Sequence, residues 1–86
     1  MAQTSYKLIG VEFGTYEGNN WGRLHLLEPF GSGSQAVGYR EVKKDYSKCD
    51  YLLAVNIMKE WELYENQEVY ASANLRGRID RVDLVN

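Results

Sequence analysis

From Tyr6 to Tyr16 apolar and polar positions alternate, with Ile9, Val11 and Phe13 on one side and Glu12, Gly14 and Tyr16 on the other. Alternation with period two marks a half-buried strand. The turn-prone run Glu17-Gly18-Asn19-Asn20 follows, and beyond it Leu24 and Leu26 oppose Trp21, Arg23 and His25. The pattern predicts a hairpin that buries one face and presents Tyr16, Trp21, Arg23 and His25 on the other.

The middle of the chain is less regular. Glu28 to Gln35 contains the single proline, Pro29, followed by alternating glycine and serine. This reads as a loop, either a flap that orders over a ligand or a plain surface connection. Ala36 to Lys43 reads as a third strand. From Asp45 to Tyr64 there is no Gly or Pro, and Ser47 with Asp50 three residues on resembles a helix start. Tyr51, Leu52, Val55, Met58, Trp61 and Leu63 then fit an amphipathic helix at roughly 48–62. A short strand over Tyr51 to Val55 fits the same brief apolar run.

In Glu68 to Leu75, the residues Val69, Ala71, Ala73 and Leu75 alternate with Tyr70, Ser72 and Asn74. Arg76-Gly77 supplies a reversal, and Ile79 to Val85 a last strand with Val82 and Leu84 inward. The order is three strands, a helix and two strands. That is the layout of a small five-stranded OB-fold-like barrel, mainly β, with one short helix between strands 3 and 4.

Eighty-six residues allow a single domain, 1–86, and a small core for which dimerisation would bury further apolar surface. The formal net charge of −2 argues against a general polycation. Yet Arg40, Lys43, Lys44 and Lys48 fall within one short stretch, and Arg76, Arg78 and Arg81 within another. Local potential, not the molecular sum, is what a ligand meets. Cys49 is the only cysteine, so an intrachain disulfide is excluded. With no secretory-type N-terminus and no apolar run of about 20 residues, a cytoplasmic protein without membrane contact is expected.

The length, the first hairpin leading into Trp21-Gly22-Arg23-Leu24, and the ending Arg78-Ile79-Asp80-Arg81-Val82-Asp83-Leu84-Val85 resemble small single-stranded DNA-binding proteins. The likeness is to the gene V type of filamentous phages and mobile elements, and it covers the two ends of the chain. It implies an OB-fold, a homodimer, and coating of single strands by aromatic and basic side chains. The acidic balance and the helical middle depart from that pattern.

Binding a single strand requires rings between bases and cations along phosphates. Tyr16 and Trp21 are the leading stacking candidates, although either could instead cover a barrel end or a dimer interface; Tyr39 is a weaker third ring. Arg23, Arg40, Lys43, Lys44, Arg76 and Arg78 are the candidate phosphate partners. The expected function is therefore largely sequence-nonspecific single-stranded DNA binding, with RNA as an open alternative substrate. The rival is a protein-interaction module, an adaptor or inhibitor whose aromatic face meets a partner. Catalysis has little support: His25 is the sole histidine and stands without a nucleophile motif. Glu60, Glu62, Glu65 and Glu68 lack metal-loop spacing, so no metal or other cofactor is expected.

Overall fold

The computed structural model of the chain describes residues 5–31, 33 and 35–85, apart from the Asp45 side chain. Strands β1 (Ser5–Tyr16) and β2 (Asn19–Pro29) form the long first hairpin. Glu17 and Gly18 turn it, both at positive φ (51° and 79°), as a type I′ turn demands. Asn19 and Asn20 already belong to β2. Next come β3 (Tyr39–Glu41), a 3₁₀ turn (Lys44–Tyr46), β4 (Lys48–Cys49), α1 (Tyr51–Lys59), α2 (Trp61–Tyr64), β5 (Glu68–Ala73) and β6 (Ile79–Leu84).

Neighbouring strands run β1-β5-β6-β4-β2, and β2 pairs back with β1, so five strands close into a barrel. β3 and β4 both lie antiparallel on the same side of β2, as two pieces of one interrupted strand. The helix falls between that strand and the last two. This is the expected OB-fold-like barrel.

Closure rests on very few residues. Cys49 pairs antiparallel with Gly22 of β2 and parallel with Ile79 of β6. The Asp50 amide donates to the Ile79 carbonyl at 2.9 Å, and the Leu24 amide to the Ser47 carbonyl at 3.0 Å. Gly22 leaves little room for a side chain here. A Cβ on it would lie 3.0 Å from both the Ala54 Cβ and the Cys49 Sγ, and 3.1 Å from the Asp50 carbonyl. The missing side chain lets α1 seat directly on β2.

Leu8, Leu24, Leu26, Cys49, Ala54, Ile57, Val69 and Ile79 form the core. Each large aliphatic side chain among them contributes about 1.5–3 kcal/mol on burial. Tyr6, Val11, Phe13, Trp61, Tyr64, Val82 and Leu84 pack around them, and the Phe13 ring meets Tyr51 edge-on at 5.4 Å.

Several details differ from the sequence reading. A β-bulge between Leu8 and Gly10 breaks the alternation, so Leu8 takes the core position and Ile9 turns outward. The predicted third strand shrinks to Tyr39–Glu41, and β4 appears beyond it. The helix starts at Tyr51, with Asp50 and not Ser47 at its N-cap; the Ser47 hydroxyl bonds the Lys44 carbonyl instead. It breaks at Glu60. Ala54 and Ile57 are buried, Leu53, Trp61 and Tyr64 pack against the core and Tyr51 meets Phe13, which leaves Leu52, Met58 and Leu63 outside. Ala54 wins the inner position because only a small residue fits against Gly22. β5 stops at Ala73, and Leu75 is fully exposed in the following turn. The Gly/Ser loop lies partly outside the described residues, since Ser32 and Ser34 are not among them.

Gly22→Ala should destabilise the fold by about 1–3 kcal/mol, the usual effect of overpacking. That corresponds to a fall in Tm of about 4–8 °C per kcal/mol in a domain of this size. Gly31→Ala meets nothing within 4 Å and should melt with the parent. Equal melting of the two variants would mean that α1 does not seat on Gly22.

Burial, and then the neighbouring Asp50 carboxylate, push the Cys49 thiol up from 9.0 to about 12. The native state therefore holds this proton after an unfolded chain has lost it. Stability drains as pH rises between about 9 and 12, and none is lost to this group below that window. Native Cys49 should resist iodoacetamide at pH 8 and react once the chain is unfolded. Cys49→Ala should flatten the alkaline fall in Tm relative to the parent. Rapid native alkylation would show that the closing residue is not enclosed.

Candidate nucleic-acid interface

On the outer face of the hairpin three large side chains of β2 face three β1 residues. His25 pairs with Gly10, Arg23 with Glu12, and Trp21 with Gly14. A Cβ at Gly14 would lie 2.9 Å from the Trp21 Cζ2, and one at Gly10 would lie 3.3 Å from the His25 ring. Both rings thus lie on bare backbone. Trp21 is held by that floor yet stays 37% exposed.

The centre of this face is more acidic than its sequence pattern implies. Glu12 Oε1 is 3.1 Å from His25 Nε2 and 3.7 Å from Arg23 Nη1, while Glu41 Oε1 is 3.6 Å from His25 Nδ1. A histidine bracketed by two carboxylates therefore interrupts any continuous basic track along β2. These contacts are part-exposed, so they bias charge more than they add stability. Arg23 Nε is buried with no hydrogen-bond partner among the described residues.

Cations converge at one end of β2. Trp21, Gly22, Arg23, Lys48, Cys49 and Arg78 line a hollow of about 210 Å³. Barrel closure explains the convergence. Arg23 pairs with Lys48 across the β2–β4 ladder, and Arg78 directly precedes Ile79, the parallel partner of Cys49. The turn that delivers Arg78 is organised by Asn74. Its Oδ1 accepts the Arg76 and Arg78 amides at 2.9 and 3.1 Å, and its own amide donates to the Arg78 carbonyl at 2.8 Å. Gly77, at φ 78°, completes the reversal.

The remaining expected site residues sit elsewhere. Tyr16 is 69% exposed at the hairpin tip, opposite Asn19. Arg76 is exposed in the Asn74–Arg78 turn. Tyr39 lies at the other end of β2, paired with Pro29, and is half exposed. Arg40 is bound to Glu28 at 2.8 Å and lies over the Phe30 ring at 6.0 Å. Lys43 joins Arg40 around a separate hollow of about 440 Å³. Lys44 is exposed on the 3₁₀ turn. The nine residues thus divide: Trp21, Arg23 and Arg78 meet, and the others do not join them. Lys48 is the member that the site reading missed. It belongs to the first basic stretch, but only the parallel β4–β6 pairing sets it beside Arg78.

Among the described residues no group of three or more His, Cys, Asp and Glu side chains could hold a metal ion. No helix among them is long and apolar enough to cross a membrane. No family model, curated protein or solved structure matches the chain.

Proposed function

We propose that this chain is a non-enzymatic binding module for single-stranded nucleic acid, DNA first, with little sequence preference. The carrying observation is an indole fixed over Gly14 at the rim of a hollow walled by Arg23, Lys48 and Arg78. One base stacks on Trp21 while its flanking phosphates meet the three cations. Stacking is indifferent to base identity, since every base has a π-face, and is worth about 1–3 kcal/mol per base. The face of strands 2 and 3, with its adjoining loops, is where OB barrels commonly take oligonucleotides, which supports the same reading. So does the resemblance of both chain ends to gene V-type proteins. A phage or mobile-element origin, a homodimer and a cytoplasmic setting belong to this proposal.

The carboxylates of Glu12 and Glu41 shape it further. They repel phosphate from the middle of β2, so the footprint centres on the Trp21 end. Tyr16 and Arg76, exposed outside the hollow, would join only if the bound strand runs past it. Tyr39, Arg40, Lys43 and Lys44 would join only if the strand passes the acidic stretch.

Titration with labelled oligo(dT) at several salt concentrations tests the proposal. Neutralising about three phosphates gives a slope of about −2 in log K against log salt. Absence of binding at low salt would overturn it. Trp21→Ala should weaken binding by about 1–3 kcal/mol and lower stability by about 1 kcal/mol or less, as for one cross-strand pair. Phe13→Ala should instead cost about 3 kcal/mol of stability, the low end for a phenylalanine because this ring is only half-buried. A Trp21→Ala protein that melts early while retaining full affinity would refute the site.

A further inference from the structure

Of the apolar residues that the helical segment leaves outside, Met58 and Leu63 line one surface together, and Leu52 stands apart from it. Met58 and Trp61 separate two shallow hollows. One, of about 470 Å³, lies against Gly10 and Val11 of β1. The other, of about 530 Å³, is lined by Met58, Lys59, Glu60, Trp61, Glu62 and Leu63. Met58 is 44% and Leu63 58% exposed, and the bulge turns Ile9, beside Gly10, outward at 40% exposure. Bulges commonly re-aim a side chain at a functional surface. None of these residues lines the basic hollow.

The same region is acidic. Glu60, Glu62, Glu65 and Glu68 are all exposed, and none of them forms a salt bridge among the described residues; Lys59 is the one cation in that stretch. An apolar groove with a carboxylate rim repels nucleic acid. It also disfavours a two-fold pairing of the chain through this face, because such pairing sets the same carboxylates against each other. Charge complementarity instead favours a cationic occupant with apolar anchors. We propose that the α1–α2/β1 groove docks a basic amphipathic segment of a partner protein, its apolar side chains seated on either side of Met58 and Trp61 and its Lys or Arg residues facing Glu60 and Glu62. Helix-in-groove recognition has this form. The inference stands apart from nucleic-acid binding and uses different residues.

The test uses the full chain and three fluorescent 14-residue peptides of one amphipathic pattern: Lys/Leu, Glu/Leu and Lys/Ser. Anisotropy should show binding of Lys/Leu alone, weakened by salt. Met58→Ser and the double variant Glu60→Gln/Glu62→Gln should each reduce that affinity by about tenfold, the loss of one central contact. Their melting curves and oligo(dT) affinity should stay near the parent's. Removing equal charge elsewhere, by Glu17→Gln/Asp80→Asn, should leave peptide binding intact. Equal loss in this control would reduce the effect to general acidity and overturn the proposal. It would also be overturned by equal binding of Glu/Leu, by no Lys/Leu binding up to about 1 mM, or by a concentration-dependent dimer that Met58→Ser abolishes.

Discussion

A junction of three residues governs this molecule. Gly22, Cys49 and Ile79 meet where β2, the two-residue β4 and β6 come together, and without that meeting the sheet would stay open. The junction is tight because α1 presses on it through Ala54, which Gly22 admits only by having no side chain. Close packing of this kind resists even one added methyl group. Closure also determines what surrounds the junction. Trp21 and Arg23 flank Gly22, Lys48 precedes Cys49, and Arg78 precedes Ile79. One packing constraint thus gathers an aromatic ring and three cations from distant parts of the chain.

Charge is organised around the same barrel in an uneven way. The chain is slightly acidic overall, yet the hollow beside Trp21 is lined by three cations and no carboxylate. Carboxylates occupy the middle of β2's outer face, where Glu12 and Glu41 bracket His25, and the rim of the α1–α2 groove. Two surfaces of opposite charge result, one lined by cations and one rimmed by carboxylates. A net charge of −2 describes neither, because each ligand responds to local potential.

The barrel was legible in the sequence because its parts carry independent signals: alternation in β2, β5 and β6, and a Gly-containing reversal between each paired hairpin. The bulge at Ile9 was not legible, since an inserted residue leaves no mark in the hydropathy pattern here yet changes which residues point inward. Leu8 and Ile9 are equally apolar, and only pairing with β2 chooses between them. The helix face was read partly wrong for a related reason. Size mattered more than hydrophobicity, so Ala54 faces Gly22 while Leu52, Met58 and Leu63 remain outside. At the site, Trp21 and Arg23 followed from local alternation. Lys48 beside Arg78 depends on a parallel pairing across some 30 residues, which no local pattern encodes. The ion pairing of Arg40 with Glu28 was hidden in the same way.

The two tryptophans report separately on the two surfaces, so their indole N–H resonances give the most direct test of the account. A ¹H–¹⁵N spectrum of the full chain titrated with oligo(dT) should move the Trp21 indole signal together with the Arg23, Lys48 and Arg78 amides. The Trp61 indole should stay in place. Movement of Trp61 with Trp21 unchanged would contradict the claim that barrel closure builds the nucleic-acid site.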